Sequence, residues 1–140
     1  VQAIVVKNAG GPEVLELAER PVPDISGSEV LIRVKAVGIN RADILQRKGL
    51  YPPPRGASPD VLGLEYAGVV EKIGADVSLY NVGDRVFGLS GGGTYQDYLA
   101  MHERLVAPIP DALSFVEAAS IPEAFITAFD ALVLQGGLTA

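Results

Sequence analysis

The sequence predicts a mainly β domain with a few helices. Three observations predict it. Short runs rich in Val, Ile, Leu and aromatic residues recur along the first two thirds of the chain, each bounded by Gly, Pro, Asp or Asn. Glycine and proline number 16 and 10 of 140 residues, which calls for many turns. No glycine falls between Gly93 and Gly136, so the last third has a different character. Short strands that do not alternate with helices point to a small barrel or sandwich rather than a doubly wound sheet.

Taken in order, residues 3–7 form a short β-rich run closed by Asn8-Ala9-Gly10-Gly11-Pro12, a strong turn signal. Residues 14–17 follow, stopped by Pro21 and Pro23. Residues 29–38 are the clearest strand, because Arg33 and Lys35 alternate with Ile32, Val34 and Ala36, the period of a half-buried strand. Further strands are expected over 66–73, 85–89, 96–101 and 105–109. Three helices are expected. The first covers 41–48, with Asn40 as N-cap, Asp43 three residues on to answer it, and Gly49 just past its end. The second opens on the capping box Ser114-x-x-Glu117. The third starts near Pro122 and carries Phe125, Ala128, Phe129, Leu132 and Val133 on one apolar stripe, until Gly136-Gly137 stops it. Tyr51-Pro52-Pro53-Pro54-Arg55-Gly56 reads as a stiff, extended loop.

Composition removes whole classes of function. With no Cys, a disulfide scaffold, a cysteine-ligated zinc, an iron–sulfur cluster and a thiol nucleophile are all excluded. One His, His102, excludes a site built on two imidazoles, and its place beside Glu103 after a strand reads as a solvated surface residue. The net charge of −6 argues against nucleic acid as a partner. No apolar run approaches the roughly 18 residues of a membrane span, and no secretory signal is present, so a cytoplasmic location is expected. Gly91-Gly92-Gly93 lacks the Lys-Ser/Thr of a phosphate loop and reads as a turn. Arg41, Arg47, Lys48 and Arg55 share one window with Asp43 as its only acid, either a solvated helix face or a field that steers an anion. Glu65, between Leu64 and Tyr66, is expected to be partly buried and then to need a partner.

Four motifs in order carry a resemblance: Gly-Ile-Asn-Arg-Ala-Asp over 38–43, Gly-Leu-Glu-Tyr-Ala-Gly over 63–68, Val-Gly-Asp-Arg-Val over 82–86 and Ile-Pro-Glu-Ala-Phe-Ile-Thr-Ala over 121–128. Together they resemble the N-terminal, GroES-like domain of the medium-chain dehydrogenase/reductase superfamily. The stretch from Asn40 to Pro54 is similar to its zinc-independent quinone oxidoreductases, close to the p53-inducible group.

The resemblance implies a GroES-like, partly open β-barrel over 1–120, and a linker helix over 121–140 leading to a Rossmann cofactor domain. No Gly-x-Gly-x-x-Gly phosphate-binding turn occurs in these residues, so the activity is expected of a larger protein and not of this chain alone. The implied reaction is hydride transfer from NADPH to a quinone or enone acceptor. Zinc is not expected: the zinc alcohol dehydrogenases have Cys where Asn40 stands and His where Leu64 stands. The resemblance makes Asn40 and Tyr51 the catalytic candidates, and Asn40, Asp43, Tyr51 and Thr127 the residues facing the cofactor. Asp43 would organise the cleft rather than do chemistry. The alternatives are an enoyl or alkenal reductase, and a non-enzymatic GroES-like assembly module. A homodimer is expected through the helix over 122–135, whose stripe a barrel alone cannot cover.

Overall fold

A computed structural model describes residues 1–139. β1 (Gln2–Val6) and β2 (Leu15–Glu19) pair antiparallel as one hairpin. β3 (Glu29–Val37), β4 (Glu65–Ile73), β5 (Arg85–Leu89), β6 (Tyr98–His102) and β7 (Ala107–Pro108) make a second, antiparallel sheet of order β6-β3-β4-β5-β7. Among the described residues no ladder joins β6 to β7, so the expectation of a mainly β domain holds while barrel closure is not seen. The hairpin meets the rest through the bridges Ala3–Gln96 and Val5–Val61.

The strand period sets the core. Val30, Ile32, Tyr66, Val70, Val86, Leu99 and Met101 point to one side of the larger sheet and are buried together with Val106. Ala67, on the opposite face of β4 from Tyr66, packs with Ile109 and with Ala118 and Ala119 of α2 (Phe115–Ala119). β4 is therefore covered on both faces where it begins, which is why its first residues are buried. α2 opens on the expected capping box, in which the Ser114 hydroxyl accepts from the Glu117 N–H and the Glu117 carboxylate accepts from the Ser114 N–H.

Three expectations are corrected. The strand expected over 96–101 begins at Tyr98, because Gln96 and Asp97 turn to β1: the Gln2 N–H donates to the Asp97 carboxylate and the Asp97 N–H to the Gln2 carbonyl. The strand expected over 105–109 shortens to Ala107–Pro108, because Glu103–Leu105 is a 3-10 turn. The Glu103 carboxylate explains that turn. It accepts the N–H groups of Ser78 and Leu79 at 2.8 Å each, which holds its pKa below the ordinary carboxylate value and folds the chain inward. The third helix is α-helical only over Pro122–Phe129 (α3), and Asp130–Gln135 continues it with π geometry until Gly137, at φ 68°, ends it. The change of period breaks the expected single stripe. Phe125, Ile126, Phe129, Leu132 and Leu134 are all exposed, and Val133 is half-buried. Among the described residues no helix is long and apolar enough to cross a membrane.

Candidate active site

The site forms where β3 runs out and α1 (Arg41–Arg47) begins. Asn40 is extended, at φ −119° and ψ 157°, as an N-cap requires. It and Asp43 are placed as a reciprocal capping box, the Asn40 side chain facing the Asp43 N–H. The Asp43 carboxylate accepts the Asn40 N–H at 2.7 Å through Oδ2. The same oxygen accepts the Tyr95 hydroxyl at 2.8 Å. Asp43 is only 3% exposed, and its Oδ1 is buried with no partner among the described residues. Burial, the bond to Asp43 and the charges of Asp43 and Glu65 push the Tyr95 hydroxyl pKa up, so it keeps its proton and donates.

Glu65 completes the arrangement from the start of β4. It is 4% exposed, and each of its oxygens is engaged. Oε1 accepts the Asn40 Nδ2–H at 2.8 Å, and Oε2 accepts the backbone N–H of Glu123 at 2.9 Å. The second bond matters to α3. Its N-cap is Ile121, whose side chain cannot accept, so a carboxylate from another element serves the helix end instead.

Two glycines make room. A Cβ at Gly38 would lie 2.0 Å from Glu65 Oε1. Gly63 sits at φ 98°, and a Cβ there would lie 2.1 Å from Thr94 Oγ1 and 2.4 Å from Tyr95 Cδ1. Desolvation raises the pKa of the Glu123 side chain, and the charges of Glu65 and Asp43 raise it further.

Of the residues singled out in the sequence, the fold brings Asn40 and Asp43 together. Asp43, expected to face the cofactor, is instead buried and engaged by the Asn40 N–H and the Tyr95 hydroxyl, so it does not face a ligand directly. Tyr51, in the bend after α1, is exposed, as is Thr127 on α3, and neither has a hydrogen bond to this network. Glu65 is buried and partnered, as its neighbours in sequence implied. Tyr95 was missed: it lies 52 residues from Asp43, and only the close approach implied by Gly63 could have hinted at it. Glu123 was seen only as a letter in a motif. His102 is exposed, with Nδ1 accepting the Arg104 N–H, as a surface role requires. Arg47 is spent on the fold, its Nε donating to the Gly10 carbonyl at 3.2 Å. Among the described residues no group of three or more His, Cys, Asp or Glu side chains is placed to hold a metal. Where zinc enzymes carry thiolate and imidazole, this chain offers an amide at Asn40 and a buried aliphatic side chain at Leu64.

The model of the alcohol dehydrogenase GroES-like domain matches residues 26–111, and the chain belongs to that family. Within it, the similarity runs to quinone oxidoreductases and VAT-1 homologs. The chain is 36% identical over 133 residues to the synaptic vesicle membrane protein VAT-1 homolog-like of Mus musculus, covering 94% of this chain and 31% of that protein. It is 39% identical over 113 residues to a quinone oxidoreductase of Pseudomonas aeruginosa, covering 80% of this chain and 34% of that one. The structure of the Escherichia coli quinone oxidoreductase complexed with NADPH superposes with a TM-score of 0.87 at 36% identity, over 96% of this chain and 41% of that one. The chain thus spans about a third of the length of these curated relatives.

Proposed function

We propose that this chain is the substrate-binding domain of a cytoplasmic, zinc-independent, NADPH-dependent quinone oxidoreductase. Residues 1–120 form the GroES-like part, and the helix over 122–135 leads to the part that holds the dinucleotide. One observation carries the reading: Asn40 is half-buried at the head of α1, with its amide held by the buried carboxylate of Glu65. A side chain held this way is already oriented for a ligand.

In this reading the chain meets the nicotinamide end of the cofactor and not its phosphates. Asn40, Tyr51 and Thr127 are accessible polar groups, whereas no Gly-rich phosphate-binding turn is present. When bound, NADPH supplies the hydride. Asn40 would hold the acceptor oxygen or the nicotinamide carboxamide, Tyr51 would cover the acceptor from the proline loop, and Thr127 would touch the ring from α3. Asp43 would keep Asn40 and Tyr95 in place. With no Lewis acid in this reading, the acceptor must already be electrophilic, a quinone or an enone. Similarity to a 2-methylene-furan-3-one reductase of Solanum lycopersicum, 38% identical over 137 residues, supports the enone class as well. The exposed apolar face of 122–135 would be covered by the cofactor-binding part, or in the isolated chain by a second copy.

The test is NADPH oxidation by the complete polypeptide, with a benzoquinone and an alkenal as acceptors. Asn40→Ala and Tyr51→Phe should each lower turnover far more than they lower the unfolding midpoint. Unchanged kinetics in both variants would remove these residues from the site.

A further inference from the structure

The hydrogen bonds of Glu65 leave Asn40 with one particular thing to offer. An ionised carboxylate only accepts, and a backbone N–H only donates. Both Glu65 oxygens face donors, Asn40 Nδ2–H at 2.8 Å and the Glu123 N–H at 2.9 Å. That fixes the amide of Asn40. Its nitrogen faces Glu65, and its side chain lies over the start of α1, where the Asp43 N–H donates to the Asn40 backbone carbonyl at 3.2 Å. Of the two protons on Nδ2, one is spent on Glu65 and one is left.

We infer that Glu65 is a positioning residue that locks the Asn40 amide with a single free N–H, and that this donor serves an acceptor oxygen. The inference rests on the proposed function for the identity of that oxygen, a quinone or enone carbonyl. In this reading the free N–H is a neutral donor that would stabilise the negative charge developing on that oxygen, the task a metal ion performs in the zinc enzymes. The lock is tight because Glu65 cannot move freely. It lies against the bare Cα of Gly38, where a Cβ would come within 2.0 Å of Oε1 and 2.6 Å of Cγ. Its second oxygen is tied to α3, so the same carboxylate couples the donor on α1 to the helix on the other side of the site.

Glu65→Gln tests this, because the amide is nearly isosteric and has one acceptor and one donor for two positions that both need acceptors. Either the Glu123 N–H loses its partner, or Asn40 loses its lock. Adding Asn40→Asp restores every bond. The carboxylate introduced at position 40 accepts from the amide introduced at position 65, and the amide oxygen at position 65 stays on the Glu123 N–H. That double variant has no donor left for a ligand.

Three readouts follow from this. In the native chain, the two Asn40 side-chain N–H signals should be distinct by NMR, with one slow to exchange. In Glu65→Gln that protection should be lost, and turnover of the complete enzyme with a benzoquinone should fall about 10²-fold. In Asn40→Asp/Glu65→Gln the unfolding midpoint and the Glu123 amide protection should return, while turnover stays at the level of Asn40→Ala. Recovery of turnover in the double variant would make the role of Glu65 purely structural and overturn the inference. So would Asn40 signals unchanged by Glu65→Gln. If the signals respond as expected but the native enzyme turns over neither quinone nor enone, the lock stands and the proposed function is what falls.

Discussion

Replacing Gly63 by Ala isolates the steric term that shapes the site. Two costs combine. At φ 98° an L-residue is strained, by roughly 1–2 kcal/mol. The new Cβ would also sit 2.1 Å from Thr94 Oγ1 and 2.4–2.7 Å from the Tyr95 ring, so the neighbours must shift, at about 1–3 kcal/mol for overpacking. The sum, about 2–5 kcal/mol, is a large share of the roughly 5–15 kcal/mol of a domain. Gly83 is the control: its φ is 97°, and nothing lies within 4 Å of where its methyl group would stand, so Gly83→Ala carries the backbone term alone. The gain in unfolded-state rigidity on adding a methyl group is common to both and cancels. Urea unfolding of the two variants, with unchanged slopes, should place Gly63→Ala lower by about 1–3 kcal/mol. Equal destabilisation would refute the claim that Gly63 is there to admit Thr94 and Tyr95. The Tyr95 hydroxyl should also leave Asp43 in Gly63→Ala, visible as a drop in the phenol pKa.

Glu123→Gln should stabilise the chain near neutral pH and not in acid. The folded pKa of Glu123 is raised, so the folded state binds its proton more tightly than the unfolded chain, and ionised Glu123 opposes folding above the raised value. Below the ordinary carboxylate range both states are protonated and the effect disappears; an equal gain at both pH values would contradict the assignment. Metal analysis of purified protein should return far less than one zinc per chain, and a stoichiometric, chelator-resistant zinc would defeat the zinc-free reading. Sedimentation of the isolated chain should show concentration-dependent dimers that Phe129→Asp abolishes, since Phe125 and Phe129 are 66% and 55% exposed. A strict monomer with protected amides along α3 would count against that contact.

Much of the fold was legible because strand period and caps are local. The alternation of Arg33 and Lys35 with apolar neighbours places β3 on the right face, and Ser114-x-x-Glu117 marks α2 to the residue. Asn40 and Asp43 were legible for the same reason, three positions apart on one helix end. What local pattern cannot show is a partner brought by the sheet. Tyr95 reaches Asp43 only because the 94–97 segment leaves its own strand to pair with β1 and with the loop that leads into β4, as in the Ala3–Gln96 bridge and the Tyr95 N–H to Leu62 carbonyl bond. The turn at Glu103–Leu105 was hidden in the same way, its cause lying in the backbone of Ser78 and Leu79. The π-helical end of α3 has its five-residue spacing matched by a side-chain bond, Gln135 Nε2–H donating to the Asp130 carboxylate.

The charge balance of the site limits what its residues can do. The ion pairs among the described residues are Lys7–Glu16, Arg20–Asp60 and Arg33–Glu71, and none involves Asp43 or Glu65. These two buried carboxylates are held by N–H and O–H donors instead, which engage both Glu65 oxygens and Asp43 Oδ2 without cancelling their charge. The negative field therefore persists around Asn40. It raises the proton affinity of Tyr95 and Glu123, and it opposes a bare oxyanion on any bound acceptor. A hydrogen-bond donor fixed beside that oxygen offsets this opposition. Tyr95, with its pKa raised and its proton committed to Asp43, is too weak an acid to deliver that proton at neutral pH, so its part is to hold Asp43. In the proposed site the tyrosine and both carboxylates would position, and Asn40 would be the donor that meets the reacting oxygen.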